Sequence, residues 1–258
     1  MLSFKIVHKN KRKTLPIVSI IVPTLNEEKF IKRTLKALNN QSVSRELYEI
    51  IVSDSSSDDS TVKIAKGLCD TVVMCKREGA SNGRNCGAKL AKGKFLGFVD
   101  ADTLVGDKWV EGLISCLSKK EFVACTGPIE PLEKGSKKFS LFFKFWDMQT
   151  KLSLLLGVPL LPGFSFGVRR DIFEIEKGFL VHDTGEDFEL SMRLRKRGQI
   201  GYSEKMLAKS STRRLKEISA IDYFMNGVHI LAEGKGWSWE KHRKDFKRKI
   251  KHKKVVVN

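Results

Sequence analysis

Between residues 17 and 127, apolar runs alternate with helical periodicities, and that alternation leaves few folds open. "IVSIIVP" (17–23) is a continuous β-branched run, the pattern of a strand covered on both faces. Ile31, Leu35 and Leu38 then recur at helical spacing, with Asn26 as the expected N-cap and Glu27 and Glu28 at the positive end of the helix. "YEIIVS" (48–53) and "STVKIAKGL" (60–68) give the next strand and helix, followed by "TVVM" (71–74) and a helix over 82–92. "KFLGFV" (94–99) and "DKWVEGLISCLSK" (107–119) form a further unit, and "FVACTG" (122–127) is another strand. Repeated strand–helix units predict an α/β chain with a mostly parallel sheet flanked by helices. Ligands bind such sheets beyond the carboxyl ends of the strands. At those ends stand Asn26 and Glu27, Asp54, and the pair Asp100 and Asp102.

The second half is less regular. Residues 139–161 are rich in aromatics and leucine, and "TGEDFELSMRLRKRG" places Phe188, Leu190 and Leu194 on one helix face with Gly198 as its expected C-cap. "QIGYS" reads as a strand, and 218–233 as an amphipathic helix. With no Pro- or Ser-rich linker, the two halves are expected to share one sheet. The expected organisation is a basic segment over 1–16, one domain over 17–216 divided near 127, and a helical, basic extension over 217–258.

Charge and cysteine content narrow the setting. The formal net charge is +18, and nine Lys or Arg against one acid lie between Lys241 and Lys254. Such a tail suits an anionic membrane surface or another polyanion. The five cysteines include no C-x-x-C pair, which points to a reducing cytoplasm rather than a disulfide framework. No apolar run approaches the roughly 18 residues of a spanning helix. The expected location is therefore cytoplasmic, with peripheral attachment to the inner face of the membrane.

The chemistry-bearing stretches are mostly acidic. Asp100-Ala101-Asp102 closes an apolar strand, and in an extended chain residues i and i+2 face one side, so both carboxylates can converge on one site. Mg²⁺ and Mn²⁺ take such oxygen ligands together with substrate phosphates. Asp54, at another strand end, can accept hydrogen bonds from a base or ribose. Arg84, near a helix start, can pair with a phosphate or brace an acid of the site. Glu186 and Asp187 open a helix whose dipole favours ionised acids, compatible with a general base. His182 and His229 read as structural, although either has the chemistry of a metal ligand.

Taken in order and spacing, these stretches resemble the inverting family 2 glycosyltransferases of the GT-A fold. "VSIIVPTLNEEKFIKRTLKAL" looks like the family's first strand, P-T-x-N-E turn and helix, and "EIIVSDSSSDDSTVKIAK" like its second-strand segment. "GASNGRNCGAKLAKGKFLGFVDADT" resembles the approach to its D-x-D motif. "GFSFGVRRDIFEIEKGF" is similar to its acceptor-side segment, and "GEDFELSMRLRKRG" to its E-D helix. The resemblance covers roughly residues 17–202. It implies a nucleotide pocket lined by Pro23, Thr24, Asn26 and Glu27, with Asp54 at the base or ribose and Asp100 at the ribose or diphosphate. Asp102 would hold the Mn²⁺ or Mg²⁺ that bridges the diphosphate, and Asp187 would deprotonate the acceptor hydroxyl beside Glu186. Gly163 and Phe164 fall on the acceptor side, and Arg84, Arg213 and Arg214 on the donor side. The implied partners are a UDP-, GDP- or dTDP-sugar and a hydroxyl on a glycan or lipid carrier, used in single transfers because the Q-x-x-R-W motif of processive synthases is absent. Ser56 and Asp58 replace the family's usual glycine and threonine after the second strand.

Other readings fit less well. A sugar-nucleotide pyrophosphorylase would carry a Gly/Arg-rich loop after its first strand, where this chain has "PTLNEEKF". A nucleic-acid binder explains the charge but leaves the clustered acids, which repel phosphate, without a purpose. A dinucleotide-binding dehydrogenase would need G-x-G-x-x-G after the first strand.

Overall fold

The computed structural model describes residues 4–213 except 11, 13, 134, 135, 158 and 181–184. Arg214, His182, His229, the 218–233 segment and the basic tail lie outside the described residues. Eight strands form one sheet: β1 (Phe4–Lys9), β2 (Val18–Thr24), β3 (Tyr48–Asp54), β4 (Thr71–Cys75), β5 (Phe95–Val99), β7 (Phe122–Thr126), β9 (Ser165–Arg169) and β10 (Gln199–Tyr202), in the order β1-β4-β3-β2-β5-β9-β7-β10. A small second sheet orders β6 (Thr103–Val105), β11 (Ala208–Ser210) and β8 (Ile129–Pro131) as β6-β11-β8. The helices are α1 (Ile31–Asn39), α2 (Thr61–Lys66), α3 (Gly79–Leu90), α4 (Trp109–Leu117), α5 (Lys137–Leu155), α6 (Arg170–Ile175) and α7 (Glu186–Arg195).

The continuous apolar runs exist because the central strands are covered on both faces. Val18, Ile20 and Val22 of β2 pack with Leu35, Leu38, Trp109 and Leu113 on one side, and Ile21 packs with Ala88 and Phe98 on the other. The second side also holds a cluster of rings in which Phe98 stacks on Phe166 at 4.9 Å and meets Phe173 and Phe179. The halves do share the sheet. β9, which periodicity did not reveal, runs antiparallel between β5 and β7 and joins them. Phe4–Lys9, expected to be only a basic segment, is an antiparallel edge strand on β4, with a register shift between Ile6 and His8. Bulges and charged residues on an edge discourage pairing with other chains.

Two helix ends differ from expectation. Asn26 does not cap α1. It has a left-handed φ of +56°, its Oδ1 accepts from the backbone N–H of Asp58, and the helix begins only at Ile31. Asparagine tolerates that conformation and trades the cap for a bridge between two turns. Gly198 does not cap α7, which stops at Arg195 with right-handed Lys196 after it.

At the lower edge of the sheet, Ser19 Oγ donates to Glu49 Oε1 at 2.6 Å, and both oxygens accept from the backbone N–H of Lys92. Gly93 passes so close that a Cβ would lie 2.6 Å from Ser19 N and 2.7 Å from Val18 C. Backbone cannot step aside as a side chain can. Gly93→Ala should therefore lower stability by about 1–3 kcal/mol, as overpacking does. A denaturant midpoint equal to wild type would show that this crossing is looser than its geometry.

Candidate active site

A cleft of about 270 Å³ opens at the carboxyl ends of the parallel strands. Its walls are Pro23 and Thr24 at the end of β2, Leu25 and Glu27 after it, Ser55 after β3, Arg77 beyond β4, Gly79, Ala80 and Arg84 on α3, residues 100–102 after β5, and Glu186 on α7. Pro23, Thr24, Glu27, Arg84, Asp100, Asp102 and Glu186, separated by up to 163 positions in the chain, thus meet in one place.

The D-x-D acids do not lie on an extended strand. β5 ends at Val99, and the N–H of Thr103 donates to the carbonyl of Asp100 at 3.0 Å, so residues 100–103 form a tight turn. The two carboxylates reach the same cleft but take different partners. Asp100 Oδ1 accepts from Arg84 Nη2 at 2.9 Å, whereas Asp102 Oδ2 lies 3.1 Å from Arg213 Nε. A turn has replaced strand alternation as the device that converges them. Thr34 Oγ1 holds the turn by donating to the carbonyl of Ala101 at 2.6 Å.

Arg84 is the buried centre of this arrangement. Its guanidinium donates to Asp100, to Glu186 Oε1 at 2.8 Å and to the carbonyl of Gly163 at 3.0 Å, and it stacks over Phe179. Burial alone would lower its pKa, but Asp100, Glu186 and Asp187 outweigh that and raise it, so the charge is permanent. Of the two roles open to it from sequence, bracing acids is the one the contacts display. Asp54 is likewise engaged internally. It is fully buried and accepts from Thr24 Oγ1, Ser57 N–H and Ser57 Oγ at 3.0, 2.8 and 2.6 Å, which holds the two turns above β2 and β3 rather than facing the cleft. Ser56, where the resembling family has glycine, adopts the left-handed φ of +62° that glycine favours, and its hydroxyl donates to the carbonyl of Cys75.

Asp187 stands behind Glu186. Its Oδ2 accepts from the N–H of Gly163 at 3.0 Å and its Oδ1 from the N–H of Phe188 at 2.9 Å. A Cβ on Gly163 would sit 2.7 Å from Oδ2, so glycine is what allows this approach. Desolvation, then the neighbouring Glu186 charge, push the Asp187 carboxyl up to about 6, against the pull of Arg84 and the two backbone donors. The helix terminus therefore does not dominate, and the group titrates close to neutrality. Phe164, expected on the acceptor side together with Gly163, follows it in the chain. Its carbonyl accepts from the N–H of Asp100 at 3.1 Å, and its ring meets Trp146 of α5.

The hard-oxygen set around Asp102 suits a divalent cation that takes one or two carboxylates and completes its shell from phosphates and water. Among the described residues no three His, Cys, Asp or Glu form a metal cage. The cradle does accept positive charge. The Arg213 guanidinium sits on Asp102 and Glu27 and stacks over Phe30, and Glu27 Oε2 is buried without a hydrogen-bond partner among the described residues. Arg77, half exposed and paired with Asp58 at 2.9 Å, is a cleft cation that sequence reasoning passed over. Its signal was a pair of basic residues, Lys76 and Arg77, just past the end of a strand.

Residues 19–175 match the family model described as glycosyl transferase family 2. Glycosyltransferase AglE of Haloferax volcanii is 29% identical over 148 residues, 55% of this chain and 49% of that protein. The Escherichia coli protein UDP-Glc:alpha-D-GlcNAc-diphosphoundecaprenol beta-1,3-glucosyltransferase WfaP is 34% identical over 105 residues, 39% of each chain. The chain thus spans about half or less of these curated relatives. Among solved structures, the mannosyltransferase PcManGT of Pyrobaculum calidifontis, in complex with GDP-Man and Mn²⁺, superposes with a TM-score of 0.65 at 20% identity over 80% of this chain and 60% of its own.

Proposed function

This chain belongs to glycosyl transferase family 2, and from that premise we propose that it is a metal-dependent inverting glycosyltransferase, moving a sugar from a UDP-, GDP- or dTDP-sugar to an acceptor hydroxyl in single transfers. The observation that carries the reading is the Arg84 junction. One buried cation ties Asp100 on the strand side to Glu186 and Gly163 on the side of Asp187, so the two halves of a two-substrate site are held at a set distance.

Asp187 is the base. With its carboxyl near 6 it is mostly ionised at neutral pH yet basic enough to take the hydroxyl proton on Oδ as the acceptor oxygen attacks the anomeric carbon. The carbon–oxygen bond to the nucleoside diphosphate breaks on the opposite face, which inverts the configuration. Pro23, Thr24 and Glu27 wall the nucleotide side, Asp54 and Asn26 hold the turns that present them, and Asp100 faces the ribose or diphosphate. Asp102 would hold the Mn²⁺ or Mg²⁺, and Arg213, now paired with Asp102, would turn to the donor diphosphate. When bound, the cation supplies neutralisation of charge on the departing diphosphate. The GDP-Man and Mn²⁺ in the Pyrobaculum neighbour support this donor chemistry, and the name of the Escherichia coli relative supports a carrier-linked acceptor.

A thermal-shift screen of UDP-, GDP- and dTDP-sugars with Mn²⁺ or Mg²⁺ tests the reading. One base should stabilise the protein by about 2.7 kcal/mol at a hundred times its Kd, and only with metal present. No shift with any of them, together with salt-sensitive stabilisation by DNA, would favour a nucleic-acid binder instead.

A further inference from the structure

α5 carries an apolar stripe that the fold leaves uncovered. Leu141, Phe145, Met148, Leu152 and Leu155 follow one another at spacings of four and three, so they share one helix face. They are 70%, 47%, 57%, 53% and 84% exposed, and Leu156 just beyond the helix is 70% exposed. The opposite face is anchored. Phe143 is buried, and Trp146 packs its ring against Phe164 at 5.4 Å. Gly163, the residue before Phe164, donates to Asp187. The stripe is therefore the outer side of the helix that backs the acceptor side of the cleft.

Charge decides what covers it. Lys137 and Lys138 stand at the start of the stripe and Lys144 beside it, all exposed, and Lys151 follows. The only acid in α5 is Asp147, which already accepts from Tyr202 Oη at 2.6 Å and pairs with Lys151 at 3.2 Å. Two copies of this face would bring their lysines together without acids to meet them, and the chain as a whole is formally +18. An apolar stripe of Leu, Phe and Met flanked by lysine is instead the composition of a helix lying in a bilayer interface. No described helix is long and apolar enough to cross a membrane, so α5 would lie on the surface rather than span it.

We propose that α5 docks this protein on an anionic lipid bilayer, with Leu141, Phe145, Met148, Leu152 and Leu155 in the acyl boundary and the lysines at the headgroups. This deepens the glycosyltransferase reading and rests on it in one respect: docking there sets the acceptor side of the cleft at the bilayer, which commits the acceptor hydroxyl to a lipid-linked molecule.

Co-sedimentation of the full chain with phosphatidylcholine vesicles, with or without phosphatidylglycerol, tests it without any transfer reaction. Wild type should sediment with the anionic vesicles. Phe145→Ser/Leu152→Ser/Leu155→Ser should weaken that binding about tenfold or more at an unchanged melting temperature, because these side chains are exposed. Lys137→Glu/Lys144→Glu should reduce the preference for phosphatidylglycerol, and the basic tail accounts for what remains. Undiminished binding by the triple variant would overturn the proposal, as would absence of binding by wild type. So would a lipid-free dimer in sedimentation velocity that the triple variant dissolves, since the occupant would then be a second copy. Vesicle binding through α5 alongside a failed nucleotide-sugar screen would leave the docking standing and sink the transferase reading alone.

Discussion

Asp187→Asn should bind the donor as wild type does and turn over at least about a hundredfold more slowly, the usual scale for losing a positioned base. The amide keeps an oxygen for the N–H of Gly163 and gives up the second acceptor, which served the N–H of Phe188, so donor affinity and melting temperature are measured beside turnover. What disappears is the proton acceptor. Wild-type kcat/KM should rise with pH through about 6 and then level off, following ionisation of this carboxyl. Near-wild-type turnover by the variant, or a profile flat across that range, would remove Asp187 from the role. The same group has a stability consequence of opposite sense to most carboxylates. Its folded pKa of about 6 lies above its ordinary 3.8, so the folded state binds the proton more tightly. Its contribution is therefore lost as pH rises from about 4 through about 6, and the melting temperature of Asp187→Asn should gain on wild type over that window.

Asp102→Ala should abolish the part of donor affinity that depends on metal, a loss of about a hundredfold or more, since a bound cation contributes several kcal/mol at a diphosphate. Isothermal titration with the donor identified by the thermal screen gives the measurement. In wild type a chelator should reproduce the loss, and in the variant it should add nothing further. Wild-type affinity in Asp102→Ala would sink the metal assignment. Arg213 is one-third exposed and retains Glu27 when Asp102 is gone, and a melting temperature measured beside the titration separates loss of the metal ligand from loss of the fold.

The chain's order of strands and helices was legible because it rests on local periodicity. Val18–Thr24 and Tyr48–Asp54 are apolar at every central position since both faces are covered, and that leaves a signature in a few consecutive residues. β9 left none. "SFGVR" is short, contains glycine and earns its place by pairing antiparallel with β5 and β7, which no local pattern reports. Asn26 carries the residue type of a cap, yet its partner is Asp58, 32 positions away. A propensity gives way where a long-range hydrogen bond is available.

The sequence by itself determined the α/β architecture, the family and which carboxylates stand at the strand ends, because apolar period and residue order are local properties of a chain. Only the tertiary structure decided what those carboxylates face. Arg84 meets Asp100 across 16 positions and Glu186 across 102, and Arg213 reaches Glu27 across 186. Such pairings depend on strand order and on the turn at residues 100–103, and a buried charge takes whichever partner the fold brings within a few ångströms. The same holds for α5. Its composition suits a core or an interface equally, and only the packing of Phe143 and Trp146 inward shows which face remains outside.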